Sequence, residues 1–375
     1  MLCRSVVRTA APAALLALAV VFIIVRSLCT WMLMDNPAGF DDLLINTCWR
    51  SPYAGSSEMP HSALGLDTMK TSNITIIGLG KGLRLDLRTI LFQLEDLSSR
   101  FSYSRAILVL DQIDPAQRRR LLNWAEQSSH NRTLLLDTQK SIAYHALRPN
   151  QQLPREATLA AARNAALTAF RALPPTEYVI SFDMDIIGYD MHGVEDSFGQ
   201  SRSWDVACSH GVVLYGVYRD AYAFRTAGVS TNHHLSGSDH QFFDISDEQA
   251  AANKVSYLRT KKKLHRMMER STGVTGATGG TGGGQGKLLK VDSCFGGLAI
   301  YKAKAMEGCW YNWHSESPYV VDCEHVFMHQ CLAAKNNATI VTNNNMKLWY
   351  GHTDIQTLNW TRAIGSVTER YGRVG

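Results

Sequence analysis

The sequence predicts an α/β fold: a mostly parallel sheet flanked by helices, preceded by an apolar N-terminal segment. Three observations carry this. Short apolar runs at 73–80, 106–111, 133–137 and 177–185 alternate with helix-spaced or Ala-rich stretches. The runs are apolar on both faces, as strands covered by helices on both sides must be. The last of them ends in Asp183-Met184-Asp185, at the kind of strand end where such sheets hold ligands.

The elements follow in order. Asn73–Gly80 (NITIIGLG) reads as a strand. Leu83, Leu87, Ile90, Leu91, Leu94 and Leu97 then keep helical spacing. Ala106–Asp111 is a second strand, and Asp114-Pro115 opens a helix with Asp as cap and Pro in the first turn. Thr133–Asp137 is a third strand, Arg155–Leu173 an Ala-rich helix, and Glu177–Asp185 a fourth strand. After 204–218 the fold resumes at Val291–Lys302, a helix follows Asp322-Cys323-Glu324-His325 with Asp322 placed to cap, and Thr339–Asn345 is another strand. Gly78-x-Gly80-x-Gly82 has the wrong third spacing for a dinucleotide fingerprint and reads as a tight turn or a close approach to a nucleotide.

The chain has 375 residues, 45% hydrophobic and 19% charged, a composition that folds. A net charge of +5 is too mild to imply nucleic acid. Arg4 and Arg8 precede an apolar run over 10–34 that only Arg26 interrupts, and Asp35, Asp41 and Asp42 follow it. That length spans a bilayer, and the flanking charges favour a cytoplasmic N-terminus. A cleaved signal peptide is the alternative, but the run is longer than its apolar region and has no clear cleavage site. The expected organisation is a tail and anchor at 1–34, a stem at 35–72, a catalytic domain at 73–362 and a tail at 363–375.

A lumenal location also fits four sequons, at Asn73, Asn131, Asn337 and Asn359. Six cysteines outside the anchor (Cys48, Cys208, Cys294, Cys309, Cys323, Cys331) permit disulfides in any of several pairings.

Within the domain, 246–270 is basic, and 271–286 (STGVTGATGGTGGGQG) is low-complexity. The two together read as an insertion: a solvated helix and loop, or a basic lid near a phosphate-bearing ligand.

The chemistry centres on Asp183 and Asp185. In an extended chain the two carboxylates point the same way and repel. A hard divalent cation relieves that cost, binding one or two carboxylates and the phosphates of a substrate. The plain alternative is a strand end followed by an acidic turn. His352 (KLWYGH) could add an imidazole ligand, or be an ordinary surface histidine. His325 and His329 share a helical face, but Val326 stands where a zinc metalloprotease needs Glu. Gly296-Gly297 before an apolar run implies close backbone approach or a bulge.

One ordered series resembles a GT-A type glycosyltransferase with its Rossmann-like sheet. It comprises Ala162-Arg163-Asn164-Ala165, Phe182-Asp183-Met184-Asp185, Trp204-Asp205, Asp220 with Phe224-Arg225, Ser293-Cys294-Phe295-Gly296-Gly297 and Cys323-Glu324-His325. Within that class it is similar to the fungal capsule-associated (alpha-1,3-)mannosyltransferase family and, more distantly, to the Anp1-type Golgi mannosyltransferases. The resemblance covers roughly 70–352; the insertion at 246–286 departs from it.

The resemblance implies a type II membrane enzyme of the Golgi or ER using Mn2+ or Mg2+. The donor would be a nucleotide-sugar, with GDP-mannose suggested, and the acceptor a glycan or glycoprotein. Asp183 and Asp185 would bind metal and donor, with His352 completing the metal shell. Arg163, Asn164, Gly296 and Gly297 would lie along the nucleotide-sugar. Glu324, or else Asp322, would be the carboxylate at the reacting centre; helix capping is the plainer role. Retention or inversion stays open.

Two rivals belong to other classes. A haloacid-dehalogenase-type phosphatase also uses Asp-x-Asp after a strand, but wants Thr or Val where Ile187 stands. A non-catalytic lumenal carbohydrate-binding protein could keep the fold, though intact Asp183 and Asp185 speak against it.

Overall fold

The computed structural model describes residues 59–350 except 82–86, 137–154, 214–216, 219–222, 227–287 and 317–318. All belong to the second of two units into which the chain divides, Glu58–Gly375. The anchor expected at 10–34, the insertion at 246–286, His352 and Asn359 lie outside the described residues. Among the described residues no helix is long and apolar enough to cross a membrane.

Twelve strands and six α-helices are described. The strands are β1 (Asn73–Lys81), β2 (Tyr103–Asp111), β3 (Asn131–Leu136), β4 (Tyr178–Asp183), β5 (Ile186–Tyr189), β6 (Val206–Val213), β7 (Val217–Tyr218), β8 (Leu289–Lys290), β9 (Leu298–Lys302), β10 (His314–Glu316), β11 (Tyr319–Val321) and β12 (Ile340–Tyr350). The helices are α1 (Ser62–Thr71), α2 (Leu87–Ser99), α3 (Pro115–Gln127), α4 (Arg155–Arg171), α5 (Met191–Gly199) and α6 (Glu324–Asn336).

The main sheet runs β3-β2-β1-β4-β9-β6-β12-β5, with β7 on β6 and β8 on β12. Its first four strands are parallel, as the alternation of strand and helix predicts. The other half is mixed: β9 runs antiparallel to both β4 and β6, and β12 parallel to β6. β9 and β12 are reached after the 227–287 segment, so a strand-helix-strand rhythm gives no warning of their direction.

Two apolar layers cover the sheet. One holds Ile107, Val109, Leu167, Phe170, Phe295, Ala299 and Tyr301 under α4 and α6. The other holds Ile74, Ile76, Leu108, Leu110 and Ile180 under α2 and α5. The Asp114 carboxylate caps α3, accepting from the Ala116 and Gln117 amides at 2.8 and 2.9 Å.

Three expectations change. First, α1, within the stretch read as stem, packs on α5; a Cβ on Gly65 would collide with the Glu195 carbonyl. Second, β1 runs through Gly78 and Gly80 to Lys81, so no turn forms over 78–81, and Gly82 lies outside the described residues. A Cβ on Gly78 would come within 2.7 Å of Leu108 and 2.9 Å of Phe182, so this glycine serves packing inside the sheet. Third, α6 is capped by Cys323, whose side chain makes no capping bond. The Asp322 carboxylate instead accepts from the Cys323 amide at 2.7 Å and pairs with Arg225 at 2.6 Å.

Candidate active site

β4 carries a buried run, Val179 to Phe182, to the carboxyl edge of the sheet and stops at Asp183. The chain then turns. Met184 is fully buried, Asp183 is part-exposed and Asp185 is exposed, so one apolar anchor separates the two acids. Two backbone bonds hold the tip: the Asp183 amide donates to the Gly297 carbonyl at 2.9 Å and the Met184 amide to the Leu79 carbonyl at 2.8 Å.

Arg163 is the hub beneath this tip. It projects from α4, 3% exposed, and its guanidinium makes three bonds. Nη2 donates to Asp183 Oδ1 at 2.9 Å, Nε to Glu324 Oε1 at 2.9 Å and Nη1 to Ser181 Oγ at 3.2 Å. Its Cζ lies 4.7 Å from the centroid of the Phe295 ring and 5.7 Å from that of Tyr311, so aromatic faces complete its cage. Burial disfavours the cation, but Asp183 and Glu324 outweigh it and hold its pKa above the usual guanidinium value. A planar fork spans three acceptors as a lysine could not.

Asp183 keeps 26% of its side chain exposed. Burial pushes its carboxyl up to about 7; Arg163 opposes the rise and Asp185 adds to it. A cation placed at these two carboxylates would reverse that balance.

Glu324 opens α6, where a helix N-terminus favours negative charge. It is 3% exposed and sits on the same guanidinium as Asp183. Behind it lies a chain of buried polar groups. His329 Nδ1 accepts from the Cys294 amide at 3.3 Å, which leaves the proton on Nε2, 3.2 Å from Tyr301 Oη. Tyr301 Oη lies 3.4 Å from His325 Nδ1. The His325 ring stacks on Phe295 at 3.7 Å, and its Nε2 stands 3.6 Å from Glu324 Oε1. Burial drives His329 down to about 3 and His325 well below its usual value, so both are neutral. The shared face of the two histidines is thus packed into the core around Tyr301, with His325 Nε2 making no hydrogen bond among the described residues.

The other candidates fall differently. Asn164 clamps the Tyr311 backbone, donating to its carbonyl at 2.8 Å and accepting from its amide at 2.9 Å. It is neither a solvent-facing residue nor aimed at the strand tip. Gly296 and Gly297 have φ of 66° and 91°. Side chains there would collide with the Ser209 carbonyl and with Tyr350, so their small size answers to β6 and β12, and Gly297 serves the site through its carbonyl on Asp183. Asp322, tied to Arg225, stands two residues before Glu324, the first residue of its helix.

Pattern reading missed Ser181, Phe295, Tyr311 and Tyr301 as parts of the site. Ser181 alternates with Asp183 on β4 and so shares its face, a signal that was available.

Asp183 and Asp185 fit a hard divalent ion: the donors are oxygens, one acid is exposed, and Asp183 Oδ2 takes no hydrogen bond among the described residues. No group of three His, Cys, Asp or Glu side chains able to hold a metal occurs among the described residues. Two carboxylates plus substrate phosphates are the usual Mg2+ arrangement, and His352 lies outside the described residues.

No known protein family and no curated protein matches the chain. Solved structures are similar in part. The mannosyltransferase PcManGT from Pyrobaculum calidifontis, in complex with GDP-Man and Mn2+, is 11% identical at TM-score 0.37, over 89% of this chain and 66% of its own. TarS from S. aureus is 11% identical at TM-score 0.39, over 78% and 39% respectively. Glucosyl-3-phosphoglycerate synthase from Mycobacterium tuberculosis, with Mn2+, UDP and phosphoglyceric acid, is 8% identical at TM-score 0.38, over 83% and 80%. The chain thus spans less than two thirds of the length of the first two, and likeness at this level decides neither family nor function.

Proposed function

We propose that the protein is a metal-dependent glycosyltransferase that moves a sugar from a nucleoside diphosphate donor to a glycan acceptor in the secretory pathway. The observation that carries this is the Asp183–Arg163–Glu324 arrangement: an acid pair at the strand tip, joined through one buried cation to a second carboxylate. A bound Mn2+ or Mg2+ would neutralise charge on the departing diphosphate.

The chain's own residues do the rest. Asp183 and Asp185 orient the diphosphate by holding its cation. Arg163 sets the Asp183 carboxylate and keeps Glu324 on the same side of the sheet. Glu324 is the carboxylate offered to the reacting centre, to steady the sugar cation or take the acceptor proton. Asp322 is the weaker choice because Arg225 already engages it. Mannose from GDP-mannose is the donor this reading favours. The two disulfides, Cys208–Cys294 and Cys309–Cys331, support an oxidising lumen, Golgi or ER, with the 10–34 segment as anchor.

The test is nucleotide release. The purified protein is offered GDP-mannose, UDP-glucose, UDP-galactose and UDP-GlcNAc, with Mn2+ and with EDTA. Metal-dependent release from one donor is expected. Absence of both release and donor binding across the set overturns the reading.

A further inference from the structure

We propose that the sheet edge opposite Asp183 is N-glycosylated, at Asn73, Asn131 and Asn337. Each begins an Asn-x-Thr triplet, and the fold brings all three to one place. Asn73 is the first residue of β1 and Asn131 the first of β3. Asn337 is the C-cap of α6, just before β12. β1, β2, β3 and β4 run parallel; β9 is antiparallel to both β4 and β6; and β12 is parallel to β6. So β1, β3 and β12 all start at the same edge, while β4 ends at the other with Asp183.

Leu79 pairs with Asp183 across β1 and β4. From residue 79 back to 73, at roughly 3.3 Å per residue, is about 20 Å. Glycans on this edge therefore leave the Asp183 edge open to donor and acceptor.

The local chemistry suits the modification. All three asparagines are exposed. The Asn131 carboxamide nitrogen donates one hydrogen to Tyr103 Oη at 2.9 Å, leaving its second for the glycosyl bond. Tyr103, 39% exposed, also faces Asn73 across β1 and β2 and offers an aromatic ring to a first sugar beside either site. Asn337 adopts the left-handed φ of 50° that asparagine tolerates, at an exposed helix end. Thr75 of the first triplet is fully buried, bonded to Arg105 and Thr176, so Asn73 must be modified before β1 folds.

The donor is a lipid-linked oligosaccharyl diphosphate. The asparagine nitrogen forms a bond to the anomeric carbon, the carbon–oxygen bond to the diphosphate breaks, and the amide proton passes to a base of the host transferase. The inference rests on the lumenal placement proposed above.

The test uses the full chain in a eukaryotic secretory host. Digestion with peptide N-glycosidase F should raise mobility, and Asn73→Gln, Asn131→Gln and Asn337→Gln should each remove one step while leaving donor turnover unchanged. The assignment falls for each site whose variant keeps every step, and falls entirely if digestion changes nothing or only Asn359→Gln removes a step. Alkylation without reductant separates the causes. Blocked Cys309 and Cys331 with no glycan overturn the edge assignment alone; reactive Cys309 and Cys331 with no glycan overturn the lumenal placement as well.

Discussion

Replacing Arg163 with methionine tests the central geometry. The substitution keeps most of the volume between Phe295 and Tyr311 but removes three hydrogen bonds and the cation that hydrogen-bonds both of the site's inner carboxylates. Glu324, 3% exposed, would lose its guanidinium hydrogen bond and keep a Cys323 thiol at 3.6 Å and the charge of Arg155. Breaking a buried ion pair from one side costs about 3–5 kcal/mol. That is a large part of the roughly 5–15 kcal/mol that holds a domain together. Urea unfolding followed by circular dichroism should show this loss at pH 8. Adding Glu324→Gln should return part of it, because the amide no longer needs the missing charge; a double-mutant cycle would then be clearly non-additive. The loss should shrink below pH 7, where Asp183, titrating near 7, takes up its proton. A loss under about 1 kcal/mol at pH 8, additive with Glu324→Gln, would refute the account of Arg163 as a shared buried counter-charge.

Three further outcomes are expected. Asp185→Ala should abolish Mn2+-dependent nucleotide release yet shift stability by no more than about 0.5 kcal/mol, since the side chain is exposed; retained metal-dependent turnover would remove it from the metal site. Gly297→Ala combines a φ of 91° with a collision at Tyr350, so a loss of about 1–3 kcal/mol in urea unfolding and weaker donor binding should appear together; normal binding in a destabilised variant would separate the glycine from Asp183. Finally, His329 binds its proton only near pH 3 when folded, against an ordinary value of 6.5. The unfolded chain therefore takes up that proton first as pH falls. Stability is intact above about 6.5 and should drop by about 1.4 kcal/mol per pH unit below it. Thermal unfolding of His329→Gln should show a visibly shallower acid slope, and an unchanged slope would reject the neutral buried histidine.

The parts of this molecule legible in the sequence are those where local chemistry and fold agree. The Asp114-Pro115 helix start, the apolar strands and the acid pair at the strand tip follow from residue type and period alone. The parts that the sequence leaves open depend on partners distant in sequence. Gly296 and Gly297 looked like residues making room for a ligand, but the atoms that fill the space are on Ser209 and Tyr350. Asn164 beside Arg163 looked like a second contact to the same ligand. A helix turns about 100° per residue, however, so neighbours along it face different elements. Arg163 meets β4 and α6, and Asn164 meets the Tyr311 backbone.

That same rotation explains why Arg163 commands the site and its neighbour does not. α4 leads directly into β4 through a short connection, so its position is set against the strand that ends in Asp183. α6 arrives 161 positions later, yet lands Glu324 on the same guanidinium. A cation between two elements so far apart in sequence fixes their spacing as well as their charge, and a lysine, whose three donors share one nitrogen on a flexible stem, supplies the charge but not the rigid fork that sets the angle between the carboxylates. The expected signature is therefore specific: Arg163→Lys should retain more stability than Arg163→Met while losing nearly as much donor turnover. Equal recovery of both in the lysine variant would mean that charge alone, and not the fork, is what the site requires.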